Sequence, residues 1–206
     1  MKKLLLVIIA LFAMLPAVFA QDTDRAVPES GDIHVGIGWG WWLTRWDNSC
    51  HTKPIIPIGL YADYTFMTFA DGNGSLAGGL LFEFCNYETW STDDQIALVG
   101  FKTTTTWTRG LLAAHATARY CFPDTNRNWA VLGRVFLGQD LELGYKEKYS
   151  DESYASIIPH TNGPGSHGSF GFALGLDTMV TEHLGLTIQL GLGTYSTIGF
   201  ITSYKF

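Results

Sequence analysis

The chain has 206 residues, of which 47% are hydrophobic, 14% aromatic and only 16% charged, and it carries 23 glycines. Its net charge of −6, with no basic tract to offset it, excludes a nucleic-acid binder. After the first 20 residues no apolar stretch reaches the roughly 20 residues of a spanning helix, so a helical membrane body is excluded too.

The first element is a leader. Met1-Lys2-Lys3, the apolar run Leu4 to Leu15 and Pro16-Ala17-Val18-Phe19-Ala20 have the charged, apolar and small-residue parts of a signal peptide, with cleavage expected after Ala20. Loss of Lys2 and Lys3 takes the charge from −6 to −8. No Cys follows the cleavage point, so no lipoprotein signal is present. The expected organisation is a signal peptide over 1–20, a polar leader over 21–32 and one domain over 33–206.

The rest alternates with period two, as strands do. Ile33 to Leu43 sets Ile33, Val35, Ile37, Trp39 and Trp41 against His34, Gly36, Gly38, Gly40 and Trp42. Ile56 to Phe66 sets Ile58, Leu60, Ala62, Tyr64 and Phe66 against Gly59, Tyr61, Asp63 and Thr65, with Pro54 and Pro57 at its start, where proline is tolerated. Leu76 to Cys85 sets Leu76, Leu80, Phe82 and Phe84 against Ala77, Gly79, Leu81 and Glu83. A fourth strand ends with Leu112, Ala114, Ala116, Ala118, Tyr120 and Phe122 against Ala113, His115, Thr117, Arg119 and Cys121, and the run Thr103 to Thr106 extends it. Trp129 to Leu137 and Phe170 to Asp177 follow the same rule, with Arg134 and Asp177 on the polar side. In the last hairpin, Leu184 to Leu192 carries a leucine or isoleucine at every second position, and after Thr194-Tyr195-Ser196 the chain alternates again to Phe206. Apolar-out, polar-in strands of this length suit one face on lipid and one on a polar lumen. The fold class predicted is all-β, a closed antiparallel up-and-down transmembrane barrel of about eight strands.

Connections alternate as such a barrel requires. Arg45 to Pro54, Tyr87 to Phe101 and Gln139 to His167 are long and polar; Asp71-Gly72-Asn73-Gly74, Pro123 to Asn128 and Thr181-Glu182-His183 are short turns. Gln95 to Phe101 has some strand character, but another strand would make the count odd, so it is assigned to an extension of the third hairpin. Trp39, Trp41 and Trp107 fall towards the outer ends, and Phe66, Tyr120, Phe122, Trp129, Tyr204 and Phe206 towards the periplasmic ends, as interfacial belts would. Cys50, Cys85 and Cys121 are odd in number; either Cys50 and Cys85 pair or all three are free thiols.

Ile33 to Trp42, Ala118-Arg119-Tyr120-Cys121-Phe122, Leu184-Gly185-Leu186 and Tyr204-Lys205-Phe206 together resemble small outer-membrane β-barrel proteins of the OmpA/OmpX type, above all the porin-like group abundant in Bacteroidetes-type bacteria. The resemblance covers most of the chain after the leader and speaks to fold and place more than to activity. It implies an insertion signal on the last strand, read by the barrel-insertion machinery, at Ile198, Phe200, Tyr204 and Phe206; Thr202 departs from the usual apolar residue. No peptidoglycan-binding domain is expected after the barrel.

Inward positions carry His34, Asp63, Glu83, His115, Arg119, Arg134, Asp177, Gln189 and Lys205. Side chains can fill an eight-stranded barrel, so Asp63, Glu83, His115, Arg119, Arg134 and Asp177 are expected to form a polar network that plugs the lumen; a narrow ion path through them is the competing reading. His167 and Ser169 share one strand face, with Asp151 or Glu152 nearby, the nearest approach to a base and nucleophile. They form no recognisable triad, and no catalytic residue is assigned. His51, His160 and His167 lack ligand spacing, so neither metal nor cofactor is expected.

Tyr145, Tyr149 and Tyr154 in the loop 139–167 would carry any surface ligand. The expected function is a structural, porin-like or surface-interaction protein of a Gram-negative outer membrane, a monomer whose partners are outer-membrane lipid and the insertion machinery. A lipid-modifying barrel enzyme and a soluble exported lipocalin-like carrier are the alternatives.

Overall fold

The computed structural model describes residues 27–41, 50–52, 56–91, 103–122, 129–150, 165–194 and 196–206, with the backbone alone at 50–52 and 89–91. The expected signal peptide, residues 21–26, the turn 123–128, the stretch 95–101, Trp42, Asp151, Glu152, Tyr154 and His160 lie outside them.

The described residues form β1 (Ile33–Trp41), β2 (Cys50–Thr52), β3 (Ile58–Phe69), β4 (Gly74–Ser91), β5 (Thr103–Tyr120), β6 (Trp129–Tyr149), β7 (His167–Met179), β8 (Leu184–Leu192) and β9 (Ile198–Lys205). Eight of them close an antiparallel barrel: β4 pairs with both β3 and β5, and β1 pairs with β9. Closure satisfies the backbone groups that an open edge would leave unpaired. β2 is a ninth, three-residue strand laid against the outer end of β4, Cys50 opposite Ser91.

The pleat sorts side chains by face, and the sorting is the inverse of a soluble protein's. Outward Ile37, Leu80, Leu137, Phe170 and Leu190 are 59–69% exposed, while Asp63, Glu83, Arg119 and Arg134 point inward and are buried. Apolar outward residues on β3 run from Ile58 to Phe66, about 27 Å along the strand. At the usual tilt this is about 20 Å along the axis, close to the apolar band of a membrane barrel. Trp39 stacks on Phe200 with centroids 4.9 Å apart near one rim, and Tyr204 packs edge-on to Phe206 at 4.9 Å near the other.

The short turns form where their residues dictate. Ala70, Asp71 and Gly72 take left-handed φ of 51°, 53° and 80° between β3 and β4. In the last short turn the Thr181 hydroxyl accepts from the amide of Leu184 at 3.0 Å.

Three expectations need correction. The segment 139–167 is not a loop throughout: β6 continues to Tyr149 and pairs with β5 out to Thr103. β4, β5 and β6, of 18, 18 and 21 residues, thus stand beyond the other barrel strands, which have 8–13. Trp107 shares the lumen-side face with Arg109 two residues on, where it meets Tyr87 at 6.0 Å and Tyr145 at 4.7 Å, and so belongs to this projecting sheet rather than to an outer belt. Finally, the register opposes Cys50 to Ser91, six residues and about 20 Å along β4 from Cys85, far beyond disulfide reach. Cys85 and Cys121 are buried thiols, neither in a disulfide.

Candidate functional site: the interior of the barrel

The inward residues fall into tiers along the axis. Towards the outer side, Tyr61, Leu81, Cys85, Leu111, Ala113, Phe136 and Ile201 pack as an apolar collar. Glycine makes room for its two rings: a Cβ on Gly38 would stand 2.5 Å from the Tyr61 ring, and one on Gly171 would stand 2.1 Å from Phe136. Glu83, fully buried in this collar, accepts a hydrogen bond from the Tyr61 hydroxyl at 2.7 Å.

Below the collar lies an ionic girdle. β5 supplies Arg119, whose Nε donates to Asp177 on β7 at 2.7 Å and whose Nη2 donates to Asp63 on β3 at 3.1 Å. β6 supplies Arg134, whose Nη2 reaches the same Asp63 oxygen at 3.4 Å, whose Nε donates to Thr117 at 3.0 Å and whose Nη1 donates to Gln189 at 3.1 Å. The Arg134 guanidinium also sits 5.3 Å from the centroid of Tyr61, tying the girdle to the collar. His115 Nδ1 stands 3.4 Å from the other Asp63 oxygen, and Thr187 donates to the second oxygen of Asp177 at 3.0 Å. Asp63 is the hub: its carboxylate faces two guanidiniums and an imidazole arriving from strands across the lumen.

The structure therefore brings Asp63, His115, Arg119, Arg134 and Asp177 together, with Glu83 nearer the outer side on Tyr61. Thr117, Thr187 and Tyr61 join them; each has inward parity, the one signal in the sequence that could have found them. A cavity of about 10 Å³ lies among His34, Tyr61, Asp63, Arg119, Arg134 and Thr187, room for about one water.

A second polar cluster caps the collar at the outer end. Arg109 Nε donates to Asp140 at 2.7 Å, and its Nη2 donates to the carbonyl of Gly165 at 3.2 Å and lies 3.3 Å from His167 Nδ1. Glu142 accepts from the amide of Gly165 at 3.0 Å, so the chain returning into β7 is pinned to this cluster. His167 Nε2 faces Asp140 at 3.7 Å, whereas the Ser169 hydroxyl donates to the carbonyl of Gly193 at 3.4 Å. His167 and Ser169 are thus engaged with different partners, and no hydrogen bond joins them in this arrangement. Among the described residues no group of three His, Cys, Asp or Glu side chains is placed to hold a metal.

Of the proposed insertion residues, Ile198, Phe200 and Tyr204 lie on β9 with the outward parity of its apolar face, and Phe206 follows with 71% exposure. Tyr145 and Tyr149 lie on the projecting part of β6, where both hydroxyls donate to Glu147.

No protein-family model matches the chain, and neither does any curated protein sequence. Solved structures do match. The fold is that of small outer-membrane barrels: the outer membrane protein OprG of Pseudomonas aeruginosa superposes with a TM-score of 0.54 at 12% identity, over 89% of this chain and 99% of OprG. The attachment invasion locus protein Ail of Yersinia pestis, in complex with the heparin analogue sucrose octasulfate, gives a TM-score of 0.40 at 12% identity, over 86% of this chain and 96% of Ail. Ail in a phospholipid bilayer nanodisc gives 0.40 at 13% identity, over 85% and 99%. At such identities the OprG likeness establishes the closed eight-stranded architecture and nothing finer.

Proposed function

We propose that this chain is an exported outer-membrane protein of a Gram-negative bacterium, with a lumen closed by its own side chains, serving as a structural scaffold that presents a projecting sheet to the outside. Location rests on the inverted surface, apolar where it would meet lipid. Residues 1–20 supply the export signal, and Ile198, Phe200, Tyr204 and Phe206 present the surface that the insertion machinery reads.

The observation that carries the closed lumen is the hub at Asp63, where Arg119 and Arg134 from β5 and β6 meet a carboxylate from β3. Opening a path there would strand charges buried to within 5% of full enclosure, a cost of several kcal/mol per uncompensated ion. On this reading the chain performs no catalytic step and needs no cofactor. The projecting parts of β4, β5 and β6, with Tyr87, Trp107 and Tyr145 in a row, are its surface for interaction.

Planar-bilayer recording of the refolded mature chain tests the closed lumen, after heat-modifiable migration in detergent gels has confirmed the barrel. A silent protein is expected. Discrete openings that disappear in Glu83→Gln or Arg134→Gln would replace this reading with a small porin.

A further inference from the structure

We infer that residues 27–32, just ahead of β1, are a strap that closes the periplasmic mouth of the barrel, a seal separate from the ionic girdle. The inference rests on the membrane-barrel reading above. In the closed ring of strands, β6 lies four places from β1 in either direction, diametrically opposite. Yet Val27, six residues before β1, is buried in one apolar cluster with Ala130 at the start of β6 and Cys121 just past the end of β5. The chain must therefore cross the opening before it enters the wall.

Its crossing is built, not incidental. The amide of Gly31 donates to the carbonyl of Thr65 at 2.8 Å, and the amide of Thr65 donates to the carbonyl of Asp32 at 2.9 Å, fastening the segment to the end of β3. The Asp32 carboxylate accepts from the amide of Glu29 at 2.8 Å, and the Ser30 hydroxyl donates to the carbonyl of Phe66 at 3.3 Å. Gly31 has φ of +102°, a conformation that a β-branched residue resists strongly, and open space surrounds the position a Cβ would take. That glycine turns the chain from the mouth into β1. Below the girdle, then, the lumen ends in an apolar contact that the leader itself supplies, and Cys121 lies beneath it, 2% exposed.

The test uses Cys121 as a reporter in the full mature chain in detergent micelles, where both mouths meet solvent. A membrane-impermeant maleimide is added, and peptide mass spectrometry separates adducts at Cys50, Cys85 and Cys121. Gly31→Val, which strains the turn without touching the lumen, and Val27→Asp, which charges the seal, are compared with the unaltered chain after heat-modifiable migration confirms each barrel. Cys121 is expected to react slowly in the unaltered chain and about tenfold faster or more in both variants, as local opening governs access.

Rapid labelling of Cys121 in the unaltered folded chain, or an unchanged rate in the folded variants, overturns the strap; should Val27→Asp fail to fold, Gly31→Val decides alone. Bilayer recordings of the same samples keep the two readings apart. Slow labelling that the variants release, with conduction appearing only in the variants, supports the strap and counts against the girdle as the closure, whereas conduction by the unaltered chain overturns the strap as a seal.

Discussion

Two ionic clusters occupy this barrel, built from the same residue types but at different distances from water. In the girdle, Arg119, Arg134 and Asp63 are at most 5% exposed. In the outer cluster Arg109 is equally buried, but Asp140, Glu142 and His167, on β6 and β7, are 14%, 21% and 56% exposed. Where water reaches the carboxylates, it can replace a lost partner; where it does not, each charge depends on the others. The girdle therefore behaves as an obligatory cross-brace and the outer cluster as an adjustable fastening for the chain entering β7.

The sharpest way to break that contrast is Arg119→Leu. It removes the cation beside Asp177, leaves Asp63 to Arg134 and His115, and should cost about 3–5 kcal/mol in urea unfolding of the folded barrel in lipid vesicles. A loss below about 1 kcal/mol would mean that water enters the girdle freely. Tyr61→Phe should come next, at about 1–3 kcal/mol, because it removes a donor from the fully buried Glu83. Asp140→Asn should cost about 1 kcal/mol or less. Salt sharpens the distinction: raising ionic strength from about 0.01 M to 1 M shortens the Debye length from about 30 Å to about 3 Å, which should shrink the Asp140 effect and leave the Arg119 effect in place.

Strand parity made much of this architecture legible. Ile33 to Trp41 and Leu184 to Leu192 alternate so regularly that face, and hence the inward direction of Asp63, Arg119, Arg134 and Asp177, followed from counting by two. Pairing did not follow, since which carboxylate meets which guanidinium depends on registers between strands far apart in the chain. Glu83 shows this: it has the parity of the girdle but sits nearer the outer side, on a tyrosine hydroxyl.

The outer half of β6 was hidden for a different reason. The register shift between Thr108 and Arg109 leaves Leu143 as an extra residue on β6, which breaks the period of two where Glu142, Lys146, Glu147 and Lys148 already mask it as polar loop. Asp140 therefore reads as loop, and nothing in the sequence singles out its partner Arg109. Val27, beside Ala26 in an otherwise polar leader, has no period at all.

The seam between β1 and β9 has a consequence for how the molecule is assembled. His34 lies opposite Lys205, and the amide of Phe206 donates to the carbonyl of Ile33 at 2.9 Å, so the last pairing to close the ring joins residues at opposite ends of the domain. Every other pairing in the ring but one, that of β3 with β1 across the β2 segment, joins strands consecutive in the chain and can form as a local hairpin. Closing the seam instead fixes a loop of the whole domain, a cost that grows as the logarithm of length and amounts to about 3 kcal/mol more than a four-residue turn. Closure is thus expected to be the late event of folding, and until it happens β1 and β9 each offer an unpaired edge to any strand at hand.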